Sequence, residues 1–364
     1  MEIAVLKGDD IGPDIVAATV RVLDAALRRH RLAVDWVELP VGAAAVASHG
    51  STLPASTVER LATIPGWILG PIGHHAYPAD DPRYLNPSGK LRKQFELYAN
   101  VRPSRALAGV KSVRPDLDLV IVRENTEGFY ADRNVLDGNG ELRPDEDTVI
   151  SVRVVTRRAS LRVARQAFEL AAERNRLRRV TVVHKANVLR RGDGLFLDAC
   201  RAVARDHPDI HLDDFLVDAF AMRLILRPGE HDVVVTTNMF GDILSDEAAA
   251  LTGGLGLAPG LNVGDEHAMA QAVHGSAPDI AGRGIANPIA EILSGALLLG
   301  WLARRLDEDG FSTARATVED AVAAVLRRGE SLTPDLGGQA TTEQLIDAIV
   351  AEMPVPSPSV GGTL

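Results

Sequence analysis

The chain has 364 residues, 46% hydrophobic and 24% charged. That length is more than one hydrophobic core serves, so two domains or lobes are expected within an ordinary globular composition. The net charge of −10 argues against nucleic acid as a main partner. No apolar run reaches the roughly 18 residues of a membrane span. Met1 to Gly8 turns polar too quickly for a signal peptide and reads as the first strand instead. Cys200 is the only cysteine, which excludes an intramolecular disulfide and a cysteine zinc site and fits a reducing cytoplasm.

Taken in order, Ile3 to Leu6 is a buried-strand pattern, and Ile15, Ala18, Thr19, Val22, Leu23, Ala26 and Leu27 repeat at helical spacing. Strands are predicted at Trp67 to Leu69, Leu117 to Val122, Val180 to His184 and Asp232 to Thr237. Helices are predicted at Leu161 to Arg174, Gly194 to Arg205, Ile289 to Leu302 and Val318 to Arg327. This alternation means an α/β fold with part of the sheet parallel. Leu91 to Pro103 is helix-like, Asp137 to Asp147 reads as an exposed loop, and Val149 to Thr156 alternates as a half-exposed strand suited to a subunit contact. Val355 to Leu364, rich in Pro, Ser and Gly, is expected to be a mobile tail.

Four groups of residues carry chemistry. Asp242 and Asp246, four apart at a helix start, share one face. Like charges so placed repel unless a cation lies between them, and oxygen ligands suit Mg²⁺ or Mn²⁺. A solvated acidic first turn is the plain alternative; Asp218, at the end of the run Phe215 to Val217, is a candidate third ligand. Arg92, Arg102 and Arg123 are candidate carboxylate forks, Arg123 at a strand end. Lys185, also at a strand end, is a candidate base against the alternative of a snorkelling lysine. Tyr130, seven residues after Arg123, is a candidate acid or a core phenol. The loop Gly8 to Pro13 is not G-x-G-x-x-G, and no G-x-x-x-x-G-K-[ST] occurs, so the Rossmann and P-loop readings fail. The other glycine loop is His274-Gly275-Ser276-Ala277-Pro278-Asp279-Ile280-Ala281-Gly282, followed by Asn287. It is either a pyrophosphate-binding turn or a structural one.

Leu97 to Pro103, Arg123 to Gly128, His184 to Asn187, Gly241 to Asp246, and His274 to Gly282 with Ile285 to Pro288 together resemble the β-decarboxylating dehydrogenases, the isocitrate/isopropylmalate dehydrogenase family. The resemblance runs from Leu6 to about Leu345. It implies a two-lobed α/β fold that is not a Rossmann fold. Residues 1–98 and 254–354 would form a large cofactor-binding lobe, and 99–253 a small lobe with the dimer contact and the metal ligands. It implies that Arg92, Arg102 and Arg123 grip substrate carboxylates and that Asp218, Asp242 and Asp246 bind Mg²⁺ or Mn²⁺. Lys185 would move the hydroxyl proton and Tyr130 would protonate the enol. Lys185 and Asp218 would reach the site from a second subunit, making the unit a homodimer. Ile11, His274, Gly275, Ser276, Ala277 and Asn287 are expected at the cofactor. The pair Asp279-Ile280, where NADP-linked members often have Lys-Tyr, implies NAD, because an aspartate repels a 2′-phosphate and accepts from ribose hydroxyls.

Substrate choice in the family depends on the stretch before Arg92, here Tyr84 to Leu91. Asn86, Ser88 and Lys90 suit a malate with a polar or anionic 3-substituent, isocitrate or homoisocitrate being nearest. Isopropylmalate, tartrate or D-malate, or a phosphonate analogue are alternatives, and a catalytically silent regulatory subunit is the alternative class. Three positions depart from the family pattern: Asp10 in place of glycine, Gln271 in place of glutamate, and the pair His74-His75.

Overall fold

The structure, a computed structural model, describes residues 1–78, 81–130 and 140–354. Its strands are β1 Glu2–Leu6, β2 Asp35–Glu38, β3 Gly66–Leu69, β4 Ala99–Arg105, β5 Asp118–Glu124, β6 Glu141–Asp145, β7 Thr148–Ser151, β8 Arg179–His184, β9 His211–Leu216, β10 Val233–Thr236, β11 Leu261–Val263 and β12 Ala268–Ala270. Its helices are α1 Gly12–Arg29, α2 Ala43–His49, α3 Ala55–Leu61, α4 Pro87–Gln94, α5 Arg157–Arg174, α6 Gly192–Ala204, α7 Val217–Leu226, α8 Asn238–Thr252, α9 Ile289–Leu306, α10 Asp309–Arg328 and α11 Thr342–Glu352.

Ten strands form one sheet in the order β2-β1-β3-β12-β11-β4-β5-β10-β8-β9. The two ends are parallel blocks, fed by crossover helices as parallel pairing requires. The centre is antiparallel, β12 to β11 to β4 to β5. One face is covered without a break by a core that takes in α1, α5, α6, α9 and α10, with Val5, Val101, Val122, Val182 and Val235 pointing into it. The other face carries two separate cores. One gathers Leu6, Trp67, Leu69 and Met269, the other Ile121, Val183, Phe220, Val234 and Leu244. Between these two cores lie the central strands, and there the side chains are polar.

The residues of Leu91 to Pro103 do not form a single helix. α4 stops at Gln94, Glu96 takes a left-handed backbone (φ 46°), and the chain re-enters the sheet as β4. Helical spacing alone could not register that reversal, because it is one residue's backbone that makes it. The expected loop at Asp137 to Asp147 is also corrected, since Glu141–Asp145 is a strand hydrogen-bonded to Thr148–Ser151. Asp137 lies outside the described residues, as does the tail Val355 to Leu364. The strand expected from Val149 to Thr156 is shorter than predicted. It ends at Ser151, Val154 makes a lone bridge to Gly128, and Thr156 caps α5 by accepting from the Ala159 amide. The hairpin leaves Leu142, Val149 and Ile150 at least half exposed. No helix among the described residues is long and apolar enough to cross a membrane.

Candidate active site

Register brings the polar strip together. Asn100 in β4 lies opposite Asn262 in β11 on one side and Arg123 in β5 on the other. Residues directly opposite across a ladder point to the same face. Asn100 donates to Asn262 Oδ1 (3.0 Å), as does Asn125 (3.0 Å), and the Arg102 Nε donates to Asn100 Oδ1 (3.1 Å). The buried amides are thus consumed in aiming one guanidinium, which agrees with the rule that buried polar groups find partners.

Arg102 and Arg123, both with buried side chains, converge on the first turns of α8. Arg102 Nη1 donates to Ser245 Oγ (2.7 Å), Asp242 Oδ1 (3.2 Å) and Asp246 Oδ1 (3.4 Å). Arg123 is held by Asn238, whose Oδ1 accepts from Nε (2.9 Å) and Nη2 (2.6 Å), while its Nη1 pairs with Asp242. The Asn238 amide in turn donates to the Glu127 carbonyl (3.0 Å). Asp242 and Asp246 keep 38% and 53% of their side-chain surface open, so both still face solvent on the side away from the arginines. Burial raises the Asp246 carboxyl above the usual carboxylate range; Arg102 opposes the shift and Asp242 adds to it. Gly241 lies against Arg123, where a Cβ would stand 2.7 Å from its side chain. A side chain there would push α8 off the arginine. Arg123 stacks 5.9 Å from the centre of the Tyr130 ring.

Arg92 and Arg102 line one cavity of about 210 Å³ together with Asn86, Ser88, His74 and Gln271. Gln271 ties α4 to the end of β3: it accepts from Arg92 Nη2 (3.2 Å) and donates to Ser88 Oγ (2.9 Å) and the Gly70 carbonyl (3.3 Å). Asn86 is the cap of α4, its side chain accepting from the Gly89 amide (3.2 Å). Lys90 does not reach the wall. It is exposed, because two helical positions beyond Ser88 turn it roughly 200° away. Of the paired histidines, both exposed, His74 lines the cavity and His75 does not.

Lys185 follows β8. Its backbone amide donates to Asp193 (2.5 Å), a fully buried carboxylate also paired with Arg153 (2.5 Å). The ammonium pairs with Asp218 in the first turn of α7 and draws that carboxyl below its usual range. Asp218 is 65% open. No three acidic, histidine or cysteine side chains among the described residues gather into a metal site, so Asp218 does not join Asp242 and Asp246 within one chain.

The late glycine loop touches the early one, Ile11 N donating to the Ser276 carbonyl (3.2 Å). Ala277 takes a left-handed backbone (φ 44°) into the turn Pro278–Ile280, and Asp279 and Gly275 stand exposed. His274 Nδ1 meets the Gly275 carbonyl at 2.9 Å. His274 Nε2 and Ser276 Oγ are buried yet without a hydrogen-bond partner among the described residues. Asn287 donates to Asp335 (2.9 Å) and accepts from the Ile289 amide (3.0 Å). Two buried polar atoms without partners thus lie in a loop whose Gly275 and Asp279 are exposed.

Asn238, Ser245, Asp193 and the bridging by Gln271 are absent from the sequence-based set. Asn238 sits only four residues before Asp242, but its work on Arg123 depends on β5 lying beside β10. The segment Glu124 to Glu127 braces the site from below. Glu124 accepts from the Thr126 and Glu127 amides (2.9 Å each), and Glu127 accepts from the Thr156 amide (2.7 Å) and hydroxyl (2.9 Å). Burial, and then the neighbouring Glu124, raise the Glu127 carboxyl to about 7. A raised carboxyl keeps its proton in the folded state where the unfolded chain releases it. Stability attributable to Glu127 therefore falls as pH climbs from 4.5 to about 7 and is level above. The shift corresponds to a loss on the order of 3 kcal/mol. Glu127→Gln keeps the acceptor for Thr156 and is expected to gain most of that at pH 8 and little at pH 4. Urea unfolding at the two pH values measures it; an equal effect at both would remove Glu127 as the source.

A sequence model of the isocitrate/isopropylmalate dehydrogenase family matches residues 2–349. The isocitrate/homoisocitrate dehydrogenase of Thermus thermophilus is 43% identical over 348 residues, 96% of this chain and 97% of that protein. The 3-isopropylmalate/3-methylmalate dehydrogenase of Methanocaldococcus jannaschii is also 43% identical, over 351 residues and the same shares of each chain. The crystal structure of isocitrate dehydrogenase from Methylococcus capsulatus superposes with a TM-score of 0.85 at 41% identity, covering 98% of this chain and 99% of that one. Fold and site together define a decarboxylating dehydrogenase, an oxidoreductase with the mixed α/β fold of isocitrate dehydrogenase. The chain belongs to the isocitrate/isopropylmalate dehydrogenase family, whose members generally use NAD(P) with Mg²⁺ or Mn²⁺.

Proposed function

We propose that the protein catalyses NAD- and metal-dependent oxidative decarboxylation of a malate bearing a polar or anionic 3-substituent, of the isocitrate or homoisocitrate kind. The observation that carries this reading is the meeting of Arg92 and Arg102 on one small cavity whose lining also includes the polar side chains of Asn86, Ser88, His74 and Gln271. A polar or anionic substituent could use the remaining hydrogen-bonding capacity of those groups, which an isopropyl group would leave unused. The two 43% relatives act, by their names, on substrates of both kinds, so identity alone does not choose.

Asp242 and Asp246 offer two open carboxylates on one helix turn, a fit for a hard divalent ion that finds no third acidic ligand beside them among the described residues of the single chain. We assign the third to Asp218 of a second copy, so that the working unit is a homodimer with shared sites. Asp218 lies on α7, which also exposes Met222, Ile225 and Leu226, and Ile243 stands open on α8 beside Asp242. Apolar surface flanking an incomplete site is what a second copy would cover. His274, Ser276, Ile11, Asn287 and the turn at Asp279 and Ile280 would hold NAD, Asp279 taking the ribose hydroxyls. Residues 1–98 with 254–354, and 99–253, would be the two lobes on either side of the polar strip.

When bound, the metal supplies Lewis-acid polarisation of the 2-hydroxyl and the nicotinamide a hydride acceptor. The chain's own residues do the rest. Arg92, Arg102 and Arg123 orient the carboxylates by bidentate donation. Lys185, supplied like Asp218 by the second copy and acting as the neutral amine, takes the hydroxyl proton, held in place through its backbone amide by buried Asp193. Loss of CO₂ leaves an enolate, and Tyr130, set against Arg123, returns a proton to its carbon.

Initial rates with NAD and Mg²⁺ or Mn²⁺ across isocitrate, homoisocitrate, isopropylmalate, malate and tartrate test the substrate. NADH and CO₂ are expected together on a polar-substituted acid; best turnover on isopropylmalate would refute the reading of the wall. Gln271→Glu places a carboxylate against Arg92 that competes with the substrate. KM for the hydroxy acid is expected to rise about tenfold with kcat within about twofold. A fall in kcat alone would contradict that placement.

A further inference from the structure

Side chains alternate along a strand, so β4 has a second face. While Asn100 and Arg102 point into the active-site strip, Val101, Pro103 and Arg105 line a separate cavity of about 530 Å³ on the opposite side of the sheet. Its floor continues through Val120, Leu261 and Val263 of the flanking strands, and its walls come from α5, α9 and α10, with Leu170, Leu297 and Val322 among them. The volume falls within the range of small-molecule pockets, and none of the groups assigned to the dehydrogenase reaction line it.

The charges at its rim are mostly spent on one another. Arg304 pairs with Glu173 (2.8 Å), Arg315 with Glu319 (2.7 Å) and Arg174 with Asp118 (2.8 Å). The side chains of Arg105 and Arg327 also line the cavity and have no ion-pair or hydrogen-bond partner among the described residues, and of the lining carboxylates only Asp320 is in that position. A cavity with an apolar floor, partly polar walls and two exposed guanidiniums without ion-pair partners among its lining residues fits one class of ligand. We propose that this cavity is a binding site for a small amphipathic anion, with its hydrocarbon or aromatic body against Val101, Leu261 and Leu297 and its acidic group between Arg105 and Arg327. The apolar body gains by leaving water, and the arginines give the anion charge-assisted hydrogen bonds that Lys would not fork.

Anilinonaphthalene sulfonate, an aromatic monoanion that fluoresces when shielded from water, is the probe. Titrated into the full-length protein, it is expected to fill one saturable site per chain and to remain bound when NAD is added in excess. Arg105→Ala with Arg327→Ala, both exposed positions whose loss does not disturb the core, is expected to weaken it about tenfold. Ala323→Trp, which sets an indole into the chamber where the hydrocarbon body would lie, is expected to weaken binding at least about tenfold, provided thermal melting remains cooperative. Should that variant not fold, the double arginine variant decides alone. Unchanged affinity in the folded variants, displacement by NAD, or no saturable binding would each overturn the proposal.

Discussion

Replacing Lys185 by methionine is expected to lower kcat by about 10³-fold while leaving NAD binding intact, since a positioned acid–base group contributes roughly 10²–10⁴. Methionine keeps the length of the side chain and discards the charge, and the brace through the backbone amide to Asp193 survives because no side-chain atom takes part in it. A stronger form of the test uses two inactive chains. In a mixed dimer of Lys185→Met and Asp242→Asn, one site inherits both substitutions and the other inherits neither. Random pairing makes half the dimers mixed, so co-refolded protein is expected to recover about a quarter of wild-type activity from two silent parents. No recovery, with mixed dimers demonstrated, would mean that Lys185 and Asp242 serve the same site from the same chain. Full turnover of Lys185→Met by itself would remove it from the chemistry.

Asp242→Asn is expected to be the most damaging conservative change at the carboxylate pair. Losing even an outer-sphere partner of a metal ligand costs 10–100-fold in metal affinity, so loss of a direct oxygen charge is expected to cost at least about 100-fold. Mn²⁺ titration followed by electron paramagnetic resonance measures this without turnover. The fold should survive, because an asparagine oxygen still accepts from Arg123 and Asn238 still holds that guanidinium from the other side. Asp242→Ala separates the two roles. It strips an acceptor from an arginine only 3% exposed and is expected to cost stability as well, on the order of 2–3 kcal/mol in urea unfolding. Mn²⁺ affinity unchanged in Asp242→Asn would show that Asp242 serves only to anchor the arginines.

The sequence by itself determined what is local. Four-residue spacing places Asp242 and Asp246 on one side of α8 because a helix advances a fixed angle per residue, and the structure keeps that pairing. The apolar runs at Ile3, Trp67, Val180 and Asp232 specify strands by the same local logic, and the motif order identifies the family. The reversal at Glu96 escaped it, because apolar spacing across Leu91 to Pro103 suits a helix until one left-handed residue breaks it. Lys90 escaped for the opposite reason: its polarity suggested a pocket, while its helical phase turns it to solvent.

Only the tertiary structure decided which charges meet. Arg102 and Arg123 converge on Asp242 because β4 lies between β11 and β5, a strand order that no window of sequence contains. The same order makes Asn238 a holder of Arg123 and lets Gln271, far along the chain from Arg92, hold it in the cavity wall. It also gave β4 two working faces, since neighbouring residues of a strand point opposite ways and the sheet has a different environment on each side. Periodicity is fixed by backbone geometry over a few residues. Convergence is fixed by which distant strands share hydrogen bonds, and that is settled only when the whole sheet packs.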